Sequence, residues 1–288
     1  MVKKLCLILS VFLGAFTAFI LKASSFKAIL LFLCFLILYY FALIILYFIF
    51  IYIVSLFYDY KKEYKKQSKF AYKITILTME FLLDLAHVKI KTSGLELLGD
   101  KKFMLVYNHT SNFDPIVQSY ILKDYDLIHI SKPENFKIPI AGRIIARDCF
   151  IPIDRENNRN ALKSIVRTAK YLQSNTYCVG VAPEGTRNKK EPTQLLPFRA
   201  GCFNIALISK CPIVICEMHN LNKIHRNFPF KRTIVEMNIL KVMNYEDYKG
   251  LNTFAISKIV KETLLNKMNL ENNNTKESDE DELYSLQH

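Results

Sequence analysis

Two stretches near the start of the chain break the alternation of apolar and polar residues seen elsewhere: Leu5 to Leu21 and Ala28 to Tyr58 hold no charged residue. The second is 31 residues long, about 46 Å as a helix against a hydrocarbon core of about 30 Å, enough to span with tilt. Tyr39, Tyr40, Tyr52 and Tyr58 suit aromatic anchoring among head groups. The first run, behind Lys3 and Lys4, has the look of a signal peptide. A second apolar run follows within a few residues, which favours a retained helical hairpin; a single span behind a removed or re-entrant first segment is the alternative.

From Phe103 onward, short apolar runs alternate with amphipathic ones. Strands are expected at Phe103 to Tyr107, Leu127 to Ile130, Cys149 to Ile153, Tyr177 to Ala182, Ile213 to Met218 and Thr233 to Leu240. Helices are expected at Asp114 to Leu122, Asn158 to Gln173, Ala200 to Ser209 and Asp247 to Met268. In Asn158 to Gln173, Ala161, Leu162, Ile165, Val166, Ala169 and Leu172 follow helical spacing. The expected fold class is α/β, a layered sheet flanked by helices with an N-terminal transmembrane helical anchor. The division expected is a membrane anchor over 1–58, a basic linker and helix over 59–100, a catalytic domain over 101–268 and a disordered polar tail over 269–288.

Charge sharpens this division. The net charge is +13, with +4 on residues 1–58 and −5 on 271–288, leaving +14 on residues 59–270. So basic a segment suits phosphate esters, anionic lipid or nucleic acid, and a bilayer tether favours lipid over nucleic acid. Lys61, Lys62, Lys65, Lys66 and Lys69 directly after the second apolar run place the main domain on the cytoplasmic side of the membrane. Seven cysteines without a CxxC pair or His at zinc-like spacing indicate buried thiols, with neither a disulfide framework nor a metal site.

Candidate chemistry begins at Asn108-His109-Thr110-Ser111-Asn112-Phe113-Asp114. On a continuous helix His109 and Asp114 would lie roughly 140° apart, so they meet only if the chain bends. Ser111 or Asp114 as a helix cap, and Pro115 in the first turn, supply that bend. His109 then lies on a loop, with the carboxylate on one ring nitrogen and the other free as a base. With six histidines and eleven aspartates in the chain, the spacing alone is weak, and Asp114 as a plain helix cap explains it equally well.

Two predicted strands end on cations, at Asp154-Arg155 and at Pro183-Glu184-Gly185-Thr186-Arg187. A guanidinium grips phosphate with a planar fork, and a glycine admits close backbone approach. Taken alone, Arg155 reads better as a surface ion pair with Asp154 or Glu156. No Gly-x-Ser-x-Gly elbow supports a serine hydrolase, and Gly180-x-x-x-x-Gly185-Thr186 lacks the lysine of a nucleotide loop. A non-enzymatic, membrane-tethered basic module accounts for charge and anchor but leaves the ordered motifs unexplained.

In order, the blocks Asn-His-x-x-x-x-Asp, Asp154-Arg155, Pro183-Glu184-Gly185-Thr186-Arg187, Phe198-Arg199-Ala200-Gly201 and Pro212-Ile213-Val214 resemble the glycerolipid acyltransferase family, of the 1-acylglycerol-3-phosphate acyltransferase type, over Lys101 to Met218. The resemblance implies His109 as general base and Asp114 as its orienter. It further implies substrate binding by Asn108, Arg155, Glu184, Gly185, Thr186 and Arg187. A lysophosphatidic acid or related acceptor and an acyl-CoA or acyl-acyl carrier protein donor follow, with no cofactor. Ile215 stands where the fourth block usually has a second proline, and the family's lysine before Gly201 is shifted to Arg199, which bears on acceptor or donor preference.

Overall fold

The computed structural model describes residues 1–21, 25–188 and 194–285, side chains of Ser25 and of residues beyond 269 excepted. In chain order the helices and strands are α1 (Val2–Ile20), α2 (Ser25–Leu56), α3 (Lys69–Leu85), β1 (Val88–Ser93), β2 (Met104–Tyr107), α4 (Asp114–Ile121), β3 (Leu127–Ser131), α5 (Ala141–Arg147), β4 (Ile151–Pro152) and α6 (Asn158–Gln173). There follow β5 (Cys178–Val181), α7 (Asn204–Ser209), β6 (Ile213–His219), α8 (Ile224–Asn227), β7 (Thr233–Met243), α9 (Tyr245–Tyr248) and α10 (Thr253–Ser285). Two compact units result: Met1–Leu85 with Glu134–Cys149, and Ala86–Pro133 with Phe150–His288.

In the first unit, α1 and α2 are long and apolar enough to cross a membrane. Cys6, Ser10 and Gly14, four residues apart, form the buried stripe of α1. A Cβ on Gly14 would stand 3.3 Å from the Leu36 backbone nitrogen, so a small residue sets how closely the helices pack. Thr17 Oγ1 and Tyr39 OH, 3.0 Å apart, form a hydrogen bond between α1 and α2. Further along α2, Tyr47 OH lies 2.8 Å from Thr78 Oγ1 of α3, and the Tyr47 ring packs 5.6 Å from Phe81.

The second unit is a seven-stranded sheet in the order β1-β7-β6-β2-β5-β3-β4, parallel except where β7 runs against β6. Met104-Leu105-Val106, Cys178-Val179 and Ile213-Val214-Ile215 are buried throughout. Such unbroken apolar runs are what a parallel strand covered on both faces requires, and they explain why these strands were the legible ones. In α6, Asn157 caps the N-terminus by accepting from the N–H groups of Arg159 and Asn160, both at 3.1 Å. Ile165, Ala169 and Leu172 face inward as expected, whereas Leu162 and Val166 are exposed. Those two stand one residue, about 100°, past Ala161 and Ile165, at the margin of the buried stripe.

Other boundaries shift for local reasons. The Cys149 to Ile153 strand shrinks to Ile151–Pro152, because Cys149 has φ +63° and Pro152 has no N–H to give a ladder. The single helix expected from Asp247 becomes two: Asp247 closes a capping box with Asn244 on α9, and Gly250 at φ +85° turns the chain before α10. β1 was not expected; its Val-Lys-Ile-Lys sequence pairs β7 at the edge of the sheet. The expected polar tail falls on residues whose side chains, from Leu270 on, lie outside the described ones.

Candidate active site

β2 delivers the site. Just past its end, the Asn108 side chain donates to Met218 O at 3.0 Å and accepts from Met218 N–H at 2.7 Å, pinning the strand end to β6. Both amide atoms are therefore engaged with backbone. The chain then bends as anticipated, but Asp114 is not the helix cap. It is the first residue of α4, its carboxylate turned back over the loop. Asp114 Oδ2 lies 2.7 Å from His109 Nδ1 and accepts the N–H groups of Thr110 at 2.8 Å and Ser111 at 3.0 Å. The Asp114 side chain is fully buried while that of His109 is 23% exposed. A ring held at Nδ1 by a carboxylate keeps its proton there, so Nε2, which has no partner among the described residues, is presented as a base.

Glu184 braces this loop from β5. Its Oε1 accepts the His109 N–H at 2.8 Å and its Oε2 the Leu196 N–H at 2.9 Å. Burial pushes its carboxyl up, the two backbone donors working the other way. The His109 carbonyl in turn accepts from Asn188 N–H at 3.2 Å. Beneath the dyad, Tyr107 stands edge-on to both His109 and His129. His129 is buried, burial holds its imidazole down to about 3, and Ser119 Oγ lies 3.0 Å from its Nε2. A Cβ on Gly180 would come 2.4 Å from the His129 ring, so that strand position has room only for glycine.

Gly185, at φ +73°, brings two guanidiniums together: a Cβ there would lie 3.0 Å from Arg155 Nη1 and 3.2 Å from Arg199 Nε. Arg199 appears in the sequence motifs without a role; its proximity to Arg155 comes from the fold alone. A cavity of about 170 Å³ opens from this pair, lined further by Ile130, Ile153, Ile165 and Val181. Thr186 is exposed and Arg187 half-buried, and Arg187 forms no ion pair or hydrogen bond among the described residues. The arrangement thus offers an oriented base, paired cations and an apolar cavity within one unit.

Residues 89–218 match the Acyltransferase family, and the resemblance read from the motifs holds. Similar proteins include a 1-acyl-sn-glycerol-3-phosphate acyltransferase of Saccharomyces cerevisiae, 26% identical over 55% of this chain and 52% of its own length. The Haemophilus influenzae protein of that name is 31% identical over 42% of this chain and 49% of its length. That of Borreliella burgdorferi is 25% identical over 62% and 72% respectively. The chain spans about half the length of the first two. The fold is similar to the crystal structure of the 1-acyl-sn-glycerophosphate (LPA) acyltransferase PlsC from Thermotoga maritima, with TM-score 0.55, 18% identity, and coverage of 79% of this chain and 94% of that one.

Proposed function

Because residues 89–218 match the Acyltransferase family, we propose that this protein transfers a fatty acyl group from an acyl thioester to the free hydroxyl of 1-acylglycerol 3-phosphate, a step of phospholipid biosynthesis. The observation that carries the reading is the 2.7 Å contact of Asp114 with His109 Nδ1. A lipid hydroxyl is a poor nucleophile until its proton is taken. His109 Nε2 accepts that proton as the oxygen attacks the thioester carbonyl, and Asp114 stabilises the resulting imidazolium. The tetrahedral intermediate then collapses, forming the ester and expelling the thiolate, which leaves as thiol with the proton from His109. No cysteine or serine nucleophile is needed.

The cations Arg155 and Arg199 beside Gly185 suit an acceptor phosphate, and Arg187, which has no ion pair or hydrogen bond among the described residues, follows in the same motif. The apolar cavity beside them suits hydrocarbon. The donor is acyl-CoA or acyl-acyl carrier protein. By the positive-inside rule the lysine cluster after α2 supports a catalytic unit on the cytoplasmic side. The test is to incubate membranes holding the protein with labelled donors and three acceptors: 1-acylglycerol 3-phosphate, glycerol 3-phosphate and a lysophospholipid of larger head group. The expected product is the diacylated phosphate monoester; label appearing only in a product of another acceptor would overturn the assignment.

A further inference from the structure

The second unit carries a loop that the acyl-transfer reading does not use. From Met218 to Val235 the chain has no acidic residue, and within it runs Arg226-Asn227-Phe228-Pro229-Phe230-Lys231-Arg232. Phe230 is 94% exposed and Phe228 48%, with Ile234 exposed close by. Arg226, Lys231 and Arg232 are exposed, and neither they nor Lys223 pair with a carboxylate among the described residues.

This exposure is built in by the fold. Leu221 and Ile224 are buried anchors. Phe228 N–H donates to Ile224 O at 3.0 Å, Lys231 N–H to Asn227 O at 2.7 Å and Asn227 Nδ2 to Thr233 Oγ1 at 3.0 Å. The turn is thus tied at both ends while its phenyl rings are directed outward. A single exposed apolar residue is ordinary, but two rings held out on a braced turn among cations without a carboxylate partner among the described residues form an amphipathic tip.

The loop's position is informative too. β6 runs parallel to β2, with Cys216 opposite Tyr107, so the end of β6 lies at the sheet edge that delivers His109. The His225 ring packs 5.6 Å from Phe113, in the turn that holds Asp114. We infer that the 226–232 loop docks on an anionic lipid surface: Phe228 and Phe230 enter the head-group region, their flanking cations meet lipid phosphates, and the catalytic edge faces the bilayer. Exposed phenyl rings gain by leaving water for the boundary between head groups and acyl chains, and each nearby Lys or Arg adds attraction to anionic lipid. Basic loops with aromatics also stack on single-stranded nucleic acid; the long apolar helices of the same chain favour lipid.

The chain contains no tryptophan, so Phe230→Trp makes a single fluorescent reporter in the full-length protein. Reconstituted into vesicles whose lipids are brominated near the head group, the Phe230→Trp variant should show blue-shifted and quenched indole emission, strongly with anionic lipid and weakly with zwitterionic lipid alone. Phe254→Trp is the control. That residue is 76% exposed on α10, which follows the far end of β7, and an indole there should stay unquenched. Adding Arg226→Glu, Lys231→Glu and Arg232→Glu to Phe230→Trp, all at exposed positions, should abolish the quenching with the circular dichroism unchanged. Unquenched emission from Phe230→Trp on vesicles of either charge would overturn the inference. So would quenching indifferent to lipid charge and to the charge reversals. Neither outcome bears on the transfer chemistry, which is tested separately.

Discussion

Two aspartates, one in each unit, are buried to the same degree and in opposite circumstances: Asp114 is 0% and Asp148 1% exposed. Three donors converge on Asp114 Oδ2, two of them backbone N–H groups of its own turn. Asp148, at the end of α5, has no hydrogen-bond partner for either carboxylate oxygen among the described residues. The groups beside it are engaged mainly with other partners. Arg147 donates to Lys66 O at 2.8 Å and lies over the Tyr58 and Tyr64 rings, and the Thr75 hydroxyl donates to Ala71 O at 3.1 Å. Burial therefore pushes the Asp148 carboxyl up to about 7, Thr75 and Arg147 only partly offsetting it. Burial alone makes a carboxyl group prefer its neutral acid; burial among directed donors makes it an orienting device.

The largest effect should come from the ring that Asp114 holds. His109→Ala is expected to abolish transfer while circular dichroism and membrane association remain as in the parent, because the side chain lies on a loop and is partly exposed. Next, Asp114→Asn should slow transfer by ~10² to 10⁴, since an amide neither holds the tautomer nor stabilises the imidazolium; turnover at saturating substrates measures this.

The arginines extend the contrast between the units. Arg147 is committed to its own unit, whereas Arg155 and Arg199 lie side by side at Gly185. Arg155→Ala and Arg187→Ala should each raise the acceptor KM by about tenfold or more, the worth of a charge-assisted contact, with donor parameters unchanged. Lysine should restore only part, for want of the planar fork. Saturation curves in acceptor and in donor separate this from a surface ion pair, whose loss leaves both unaltered.

Asp148→Asn should have the smallest effect and the opposite sign, a gain in stability. The folded-state pKa lies above the ordinary 3.8, so between about pH 4 and pH 7 the folded protein binds more protons than the unfolded chain. Stability falls as pH rises through that window and levels off above it. The asparagine variant should therefore exceed the parent by about 1 to 3 kcal/mol at pH 8 and by much less near pH 5. Thermal melts at the two pH values check this; an equal gain at both would mean that Asp148 does not titrate there.

The two regions were unequally legible in the sequence. The His109–Asp114 pair shows as a spacing that requires a bend, and Ser111 and Pro115 lie within a few residues to provide it. α6 was readable because its apolar period is local. What escaped is what distant strands bring together. Glu184 reads as a carboxylate in a motif, yet it straps the His109 loop to Leu196 through backbone N–H groups that no motif displays. Arg155 and Arg199, 44 positions apart in the sequence, meet only because β4 and β5 end at the same edge. How little of its burial Asp148 has offset depends on how α3 and α5 turn Thr75 and Arg147 toward other partners, which no motif displays. Pro152 and the lysines of β1 are visible locally but act through their edge positions in the sheet.

The central claim is that Asp114 acts on catalysis through the imidazole of His109. It is tested most directly by a double-mutant cycle on transfer to 1-acylglycerol 3-phosphate, comparing parent, His109→Ala, Asp114→Asn and the double variant at equal amounts of folded protein. Once the ring is gone the carboxylate has nothing left to orient, so the double variant should be no slower than His109→Ala alone. Losses that multiply, or undiminished transfer by His109→Ala, would contradict the account.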